Sequence, residues 1–129
     1  MIAITPGEQV LLLPFPVSVN SIWKANKGGG FRKSDAYRAW ITEAGWELVR
    51  QKPIKFKGRV GVRIYAIKPD KKVRDLDNIG KAIFDLLVTH KIIEDDRYVD
   101  EIHMAWQKPS DNLKGVSVAI WQLPDDEAE

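Results

Sequence analysis

Asp75 and Asp77 stand one residue apart, Lys81 follows four positions after the second, and Asp96 closes the run Glu94-Asp95-Asp96 nineteen residues beyond Asp77. Carboxylates crowded together repel, and such a group takes up a proton or finds a cation. An oxygen-only set suits a hard ion such as Mg²⁺, which binds one or two protein carboxylates, several waters and a substrate phosphate. The chemistry this combination serves is phosphoryl transfer or phosphodiester hydrolysis. Lys81 fits, because residues i and i+4 share a helix face and its ammonium can meet a phosphate or a developing oxyanion. The same residues also have a plain structural use. Asp and Asn cap helices, a first-turn acid complements the helix dipole, and Asp77 with Lys81 is an ordinary helical pair. Spacing alone leaves both readings open.

The charge distribution bears on what such a site would meet. The net charge is only +2, but residues 51–74 hold nine Lys or Arg against Asp70 alone, and residues 75–100 hold seven acids against Lys81, Lys91 and Arg97. A basic segment that runs into an acidic pocket suits a metal-dependent nuclease, with phosphates held outside and the cation within. It equally suits a solvated edge whose lysines blunt aggregation. The absence of cysteine excludes a disulfide framework, thiolate metal ligands and a thiol nucleophile. Only two histidines exist, His90 and His103, and a general-base role for either is not required where an ion can generate the nucleophile.

The elements that must position these groups can be read from periodicity. A chain of 129 residues is one domain with one core. Val10 to Leu13 reads as a short apolar strand closed by Pro14 and Pro16. Residues 17–33 lack periodicity and contain Gly28-Gly29-Gly30, so a mobile loop is expected, carrying Lys24, Lys27, Arg32 and Lys33 among Trp23 and Phe31. Basic residues interleaved with aromatics can track a nucleic-acid backbone and stack on bases. Ser34 is the expected N-cap of a helix from Asp35 to about Gln51, with Tyr37, Trp40, Ile41, Ala44 and Leu48 on its inner stripe and Trp46 outside. Arg38 lies in its first turns.

Residues 59–67 alternate as a strand and lead into the basic turn Lys68 to Arg74. A second helix from about Asp77 to Val88 buries Ile79, Ala82, Ile83, Leu86 and Leu87 and leaves Asp77, Lys81 and Asp85 on its polar side, Asp85 as an i+4 partner of Lys81. The following loop is expected to return Glu94-Asp95-Asp96 toward the start of that helix. Residues 99–107, with Ile102, Met104 and Trp106 on one face, and Val116 to Ile120 complete a hairpin. The expected fold is α+β, a single domain over residues 1–124 with a mixed sheet and two helices mainly on one face, followed by an acidic, disordered tail. The first residues lack a basic start and a cleavage site, and no apolar run spans a membrane, so an intracellular protein with no membrane partner is expected.

The run Lys68-Pro69-Asp70-Lys71-Lys72-Val73-Arg74-Asp75-Leu76-Asp77-Asn78, then Lys81-Ala82, Phe84-Asp85 and Glu94-Asp95-Asp96 with Val99, resembles the RusA family of Holliday junction resolvases. A weaker likeness lies in Leu13-Pro14-Phe15-Pro16 with Asn20, and in Tyr37-Arg38. Residues 68–99 carry the specific part. The resemblance implies a homodimeric, Mg²⁺-dependent endonuclease, bacterial or phage-encoded, that cuts four-way DNA junctions in recombination and repair. It implies that Asp75, Asp77 and Asp96 are the essential, metal-holding acids, that Lys81 is the essential lysine, and that Asp95 ranks below them. Lys71, Lys72 and Arg74 are the expected backbone contacts, with Lys24, Lys27, Arg32, Lys33 and Arg38 as candidates to hold the junction arms. Val73 interrupts the arginine-dense approach expected of the family. The other readings are a non-catalytic nucleic-acid-binding module, a nuclease acting on forks and flaps, and a phosphatase for small esters, the last disfavoured by the basic segment.

Overall fold

The computed structural model describes residues 7–16, 23–71, 73–108 and 114–124, without the side chains of Trp23, Lys24 and Phe31. Lys72 and the acidic tail lie outside the described residues. Eight elements follow in order: β1 (Gln9–Leu13), β2 (Trp23–Ala25), β3 (Phe31–Lys33), α1 (Asp35–Arg50), β4 (Val60–Ala66), α2 (Leu76–Thr89), β5 (Val99–Trp106) and β6 (Val116–Gln122). The main sheet has the order β1-β6-β4-β5, with β4 and β5 parallel and the other pairs antiparallel. This is the α+β domain with a mixed sheet that periodicity predicts.

Burial explains the order. Val60, Val62, Ile64 and Ala66 of β4 and Val116, Val118 and Ile120 of β6 are fully or almost fully buried beneath the helices. The reverse face of these strands is also filled. A Cβ at Gly61 would lie 2.2 Å from the Trp121 indole, so the ring rests on bare backbone. Arg63 packs beside that ring and grips Glu8 through two hydrogen bonds of 3.1 and 2.9 Å. Two-sided burial makes β4 and β6 the centre and leaves β1 and β5 as edges.

Residues 99–107 and 116–120 therefore do not form the expected hairpin, because β4 lies between them. A second departure follows. Ile102, expected inward, is 53% exposed, since the edge strand extends beyond the cover that α2 gives Met104. Part of the segment read as an irregular loop is a two-stranded hairpin, with Trp23 to Ala25 paired to Phe31 to Lys33 around the glycines.

Both helices are fixed at their ends. Ser34 caps α1 by accepting from the Tyr37 N–H at 3.1 Å, and the Gln51 side chain bonds both the N–H and the carbonyl of Leu12 on β1 at 2.8 Å. Tyr37, Trp40, Ala44 and Leu48 are buried as expected, and Trp46 points outward. In α2 the buried stripe is Ile79, Ala82, Ile83, Leu86 and Leu87. Its far end closes with Lys91 in a left-handed conformation (φ 59°), while the Lys91 and Ile92 N–H groups donate to Val88 and Leu87. Because α2 is the crossover between two parallel strands, it starts where β4 ends and finishes where β5 starts. That topology decides where the acids go.

Candidate active site

The approach to α2 is locked by alternating aromatics and cations. Lys68 Nζ sits 4.9 Å over the Trp106 ring, Trp106 stacks on Phe15 with centroids 6.2 Å apart, and the Arg74 guanidinium lies 5.3 Å over Phe15. Such contacts stabilise by about 0.5–1.5 kcal/mol each beyond the apolar area they bury. Arg74 also pairs with Asp70 at 2.6 Å. The expected backbone-binding turn thus has Lys71 exposed, whereas Arg74 is half-buried and already engaged. Between them Val73 is 98% exposed. An open groove of about 600 Å³ lined by Lys68, Pro69, Asp70, Lys71, Trp106 and Gln107 runs alongside.

Asp75 follows in an extended conformation, and its Oδ1 accepts from the Asp77 N–H at 3.0 Å, making it the N-cap of α2. Asp77 occupies the first turn, and Lys81 Nζ lies 3.7 Å from Asp77 Oδ2, with both side chains 69% exposed. Two carboxylates and an ammonium therefore meet at the positive end of a helix dipole, open to solvent. The dipole complements the two carboxylates, and their exposure leaves them open to a cation.

Asp96 goes elsewhere. Asp95 caps a 3₁₀ turn over Asp96–Tyr98, accepting from the Arg97 N–H at 3.0 Å. That bond, with one from Asp96, holds the Asp95 carboxyl below the usual carboxylate range. The Asp96 carboxyl is pushed up by its hydrogen bond to Asp95, by partial desolvation and by the charges of Asp95 and Asp85. Asp85 lies eight residues beyond Asp77 on α2, about 12 Å along the axis at ~1.5 Å per residue. Within one chain the loop thus returns its acids to the far half of the helix, and not to its start. Asp85 also differs from expectation: Lys81 closes on Asp77, while Asp85 acts on Asp96 and raises the Tyr37 hydroxyl, which burial has already pushed up.

These positions bear on a metal. Oxygen ligands of Mg²⁺ all lie ~2.1 Å from the ion. Asp75 and Asp77 fit the one or two carboxylates such an ion takes, but Asp96 of the same chain does not join them. No group of three or more metal-ligating side chains occurs among the described residues. Of the other candidates, Arg32 bonds the Ala25 carbonyl and Asn26 Oδ1 at 3.4 and 3.3 Å, Lys33 lies 5.7 Å over Tyr37, and Lys27 and Arg38 are exposed. The Lys24 side chain, Lys72, and the stacking side chains of Trp23 and Phe31 lie outside the described residues.

Comparison with known proteins decides the family. The model of the endodeoxyribonuclease RusA family matches residues 14–121. The chain belongs to the RusA family. It is 31% identical over 100 residues to the crossover junction endodeoxyribonuclease of Enterobacteria phage HK97, covering 76% of this chain and 82% of that one. It is 29% identical over 117 residues to the protein of the same name from Aquifex aeolicus (strain VF5), covering 87% and 89%. A third RusA relative, from Shigella sonnei (strain Ss046), is 33% identical over 95 residues, covering 69% and 74%. The matched range includes Phe15, Arg74 and Trp106, whose mutual contacts the sequence pattern does not reveal. Their one sequence signal was the apolar residue Phe15 held between two prolines, which is odd for a strand end.

Proposed function

We propose that this RusA-family chain is a Mg²⁺-dependent, structure-selective endodeoxyribonuclease that nicks four-way DNA junctions symmetrically as a homodimer, inside a bacterial or phage-infected cell, in recombination and repair. The observation that supports it most is the placement of Asp75, Asp77 and Lys81 together at the exposed start of α2, beside the basic turn, in a family whose relatives are named crossover junction endodeoxyribonucleases.

In this reading Asp75 and Asp77 would hold the divalent ion, which when bound would supply an acidified water and screen the charge of the scissile phosphate. Asp75 keeps its capping bond, which fixes its carboxylate at the helix end where the ion would be held. Lys81 leaves its loose contact with Asp77 and meets the growing charge on the phosphate or on the departing oxygen. The dipole of α2 adds to this attraction. Lys71, Lys72 and Arg74 hold the backbone next to the cut, and Lys24, Lys27, Arg32, Lys33 and Arg38 take the arms. The essential role that the resemblance gives Asp96 remains part of the reading, although one chain does not bring it to Asp75.

The test is cleavage of a synthetic four-way junction against linear duplex of the same sequence, with Mg²⁺ or with EDTA, by wild-type protein and Asp75→Asn. Paired nicks that need both Mg²⁺ and Asp75 are expected. Junction binding with no cleavage under any divalent ion would leave a binding module, with the acids serving only as helix caps.

A further inference from the structure

Phe15 stacks on the Trp106 indole, yet the open groove of about 600 Å³ beside the basic turn is lined by Trp106 and not by Phe15. The groove thus opens on a part of the ring that Phe15 leaves bare. Lys68 lines it too, and its ammonium stands 4.9 Å from the centroid of the indole ring. Lys68 and Lys71 are exposed at the rim, and Gln107 is half-buried. The Gln107 N–H donates to the Ala66 carbonyl at 2.8 Å, which fixes the residue, while among the described residues its side-chain amide has no hydrogen-bond partner. An aromatic floor, an amide that both donates and accepts, and two cations at the rim are the parts that recognise a nucleobase and its flanking phosphates. A phosphate alone would need no flat ring, and an apolar ligand would need neither cation. The volume suits such a guest, since pockets for small molecules run to ~300–1,000 Å³.

The place matters as much as the shape. Gly80 of α2 lies against Met104 of β5, where a Cβ would come within 2.6 Å of the sulfur. From that contact Trp106 lies two residues on along β5, ~6.6 Å at ~3.3 Å per residue, and Asp77 lies three residues back along α2, ~4.5 Å at ~1.5 Å per residue. Both steps lead toward the same end of the sheet, because α2 is the crossover between parallel strands. Arg74, the neighbour of Asp75, reaches Trp106 through Phe15. The groove therefore adjoins the acids and is joined to them by one stack of side chains.

We propose that this groove takes one unstacked nucleobase of the DNA being cut, laid against Trp106 and read by the Gln107 amide; the inference rests on the nuclease reading above. Base stacking on an indole outweighs an exposed cation–π contact, so Lys68 leaves the ring and, with Lys71, meets the phosphates on either side of the base. Asp70 takes no part, being held by Arg74. Drawing a base out of a duplex costs stacking and pairing, and the cost is least where a neighbour is already missing. Bases at a branch point are in that position. A base groove beside the scissile phosphate thus favours branched DNA over linear duplex, and it adds a sequence preference that phosphate contacts do not carry.

The test pairs a missing base with a missing ring. Four-way junctions with a single abasic nucleotide, placed in turn at each position flanking the branch point, are bound in EDTA so that affinity is read without cleavage. For wild type, loss of one particular base should weaken binding by about 5- to 100-fold. For Trp106→Ala the same lesion should cost less than ~2-fold, and Trp106→Phe, which keeps a ring, should recover most of the sensitivity. Gln107→Ala should keep the stacking but level the preference among the four bases at that position to within ~2-fold. Trp106→Ala also loses its stack on Phe15, so its melting is followed alongside; if it does not fold, the base preference of Gln107→Ala decides. A scan in which no position matters to wild type, or in which the variants respond as wild type does, would overturn the base groove. Wild type that cuts junctions in Mg²⁺ without this coupling would overturn the groove alone. Wild type that shows the coupling yet nicks nothing would overturn the nuclease reading and leave the groove as a site for unstacked bases.

Discussion

The two ends of α2 carry the same kind of residue and treat it differently. At the start, Asp75 and Asp77 are separated by a backbone bond and a lysine: one caps the helix and the other leans on Lys81. At the far half, Asp95 and Asp96 bond to each other, and Asp85 adds its charge. The first pair stands in the positive field of the helix N-terminus, and the second is offset by Arg97 and backbone. At one end the acids are held apart, and at the other they are coupled, Asp95 shifted down and Asp96 up. The lesson is that acidic spacing names a possible site, whereas topology decides which of the acids can belong to it.

The largest effect that would break this comparison is catalytic. Asp75→Asn keeps a capping oxygen and Asp77→Asn keeps the helix, so both should fold normally yet lose at least ~100-fold in junction cleavage, whereas Asp85→Asn should lose less than ~10-fold. Equal losses in a single-turnover assay would erase the distinction between the ends. Next in size is the effect of the close approach of α2 to β5. A Cβ at Gly80 would lie 2.6 Å from Met104 Sδ, so Gly80→Val should destabilise by about 1–3 kcal/mol in urea unfolding, and an unchanged midpoint would show that the helix does not rest there. The far end should tolerate, and gain from, the opposite change. Lys91 holds the left-handed position that closes α2, and Lys91→Gly should stabilise by about 1 kcal/mol, read as a higher melting temperature. The smallest effect is electrostatic. Asp96 takes up its proton at higher pH than an ordinary carboxylate, so its NMR titration midpoint should fall on Asp85→Asn and fall further on Asp95→Asn, which removes the larger cause. A midpoint that stays put would remove the coupling.

Periodicity read most of the fold because most of it is amphipathic. The stripes Tyr37-Trp40-Ala44-Leu48 and Ile79-Ala82-Ile83-Leu86-Leu87 point inward as their spacing requires, and Ser34 caps where it stands. What periodicity could not give was neighbourhood. A run such as Val116 to Ile120 looks the same beside β4 or beside β5, and only burial of Ala119 on the second face shows that β6 is central. The same gap hid the path of Asp96. Its spacing from Asp77 carries no record of direction, and a parallel crossover sends it to the opposite end of α2. Residues such as Phe15 and Trp106, far apart in the chain, meet only once β1, β6, β4 and β5 are ordered.

The most direct test of the site assignment is a titration with Mn²⁺, watched through paramagnetic broadening of the backbone amides. Broadening that begins at Asp75, Leu76 and Asp77 and is lost in Asp75→Asn is the predicted result. Broadening that begins at Asp85 and Asp95 and survives Asp75→Asn would contradict it, and would move the metal to the other end of the helix.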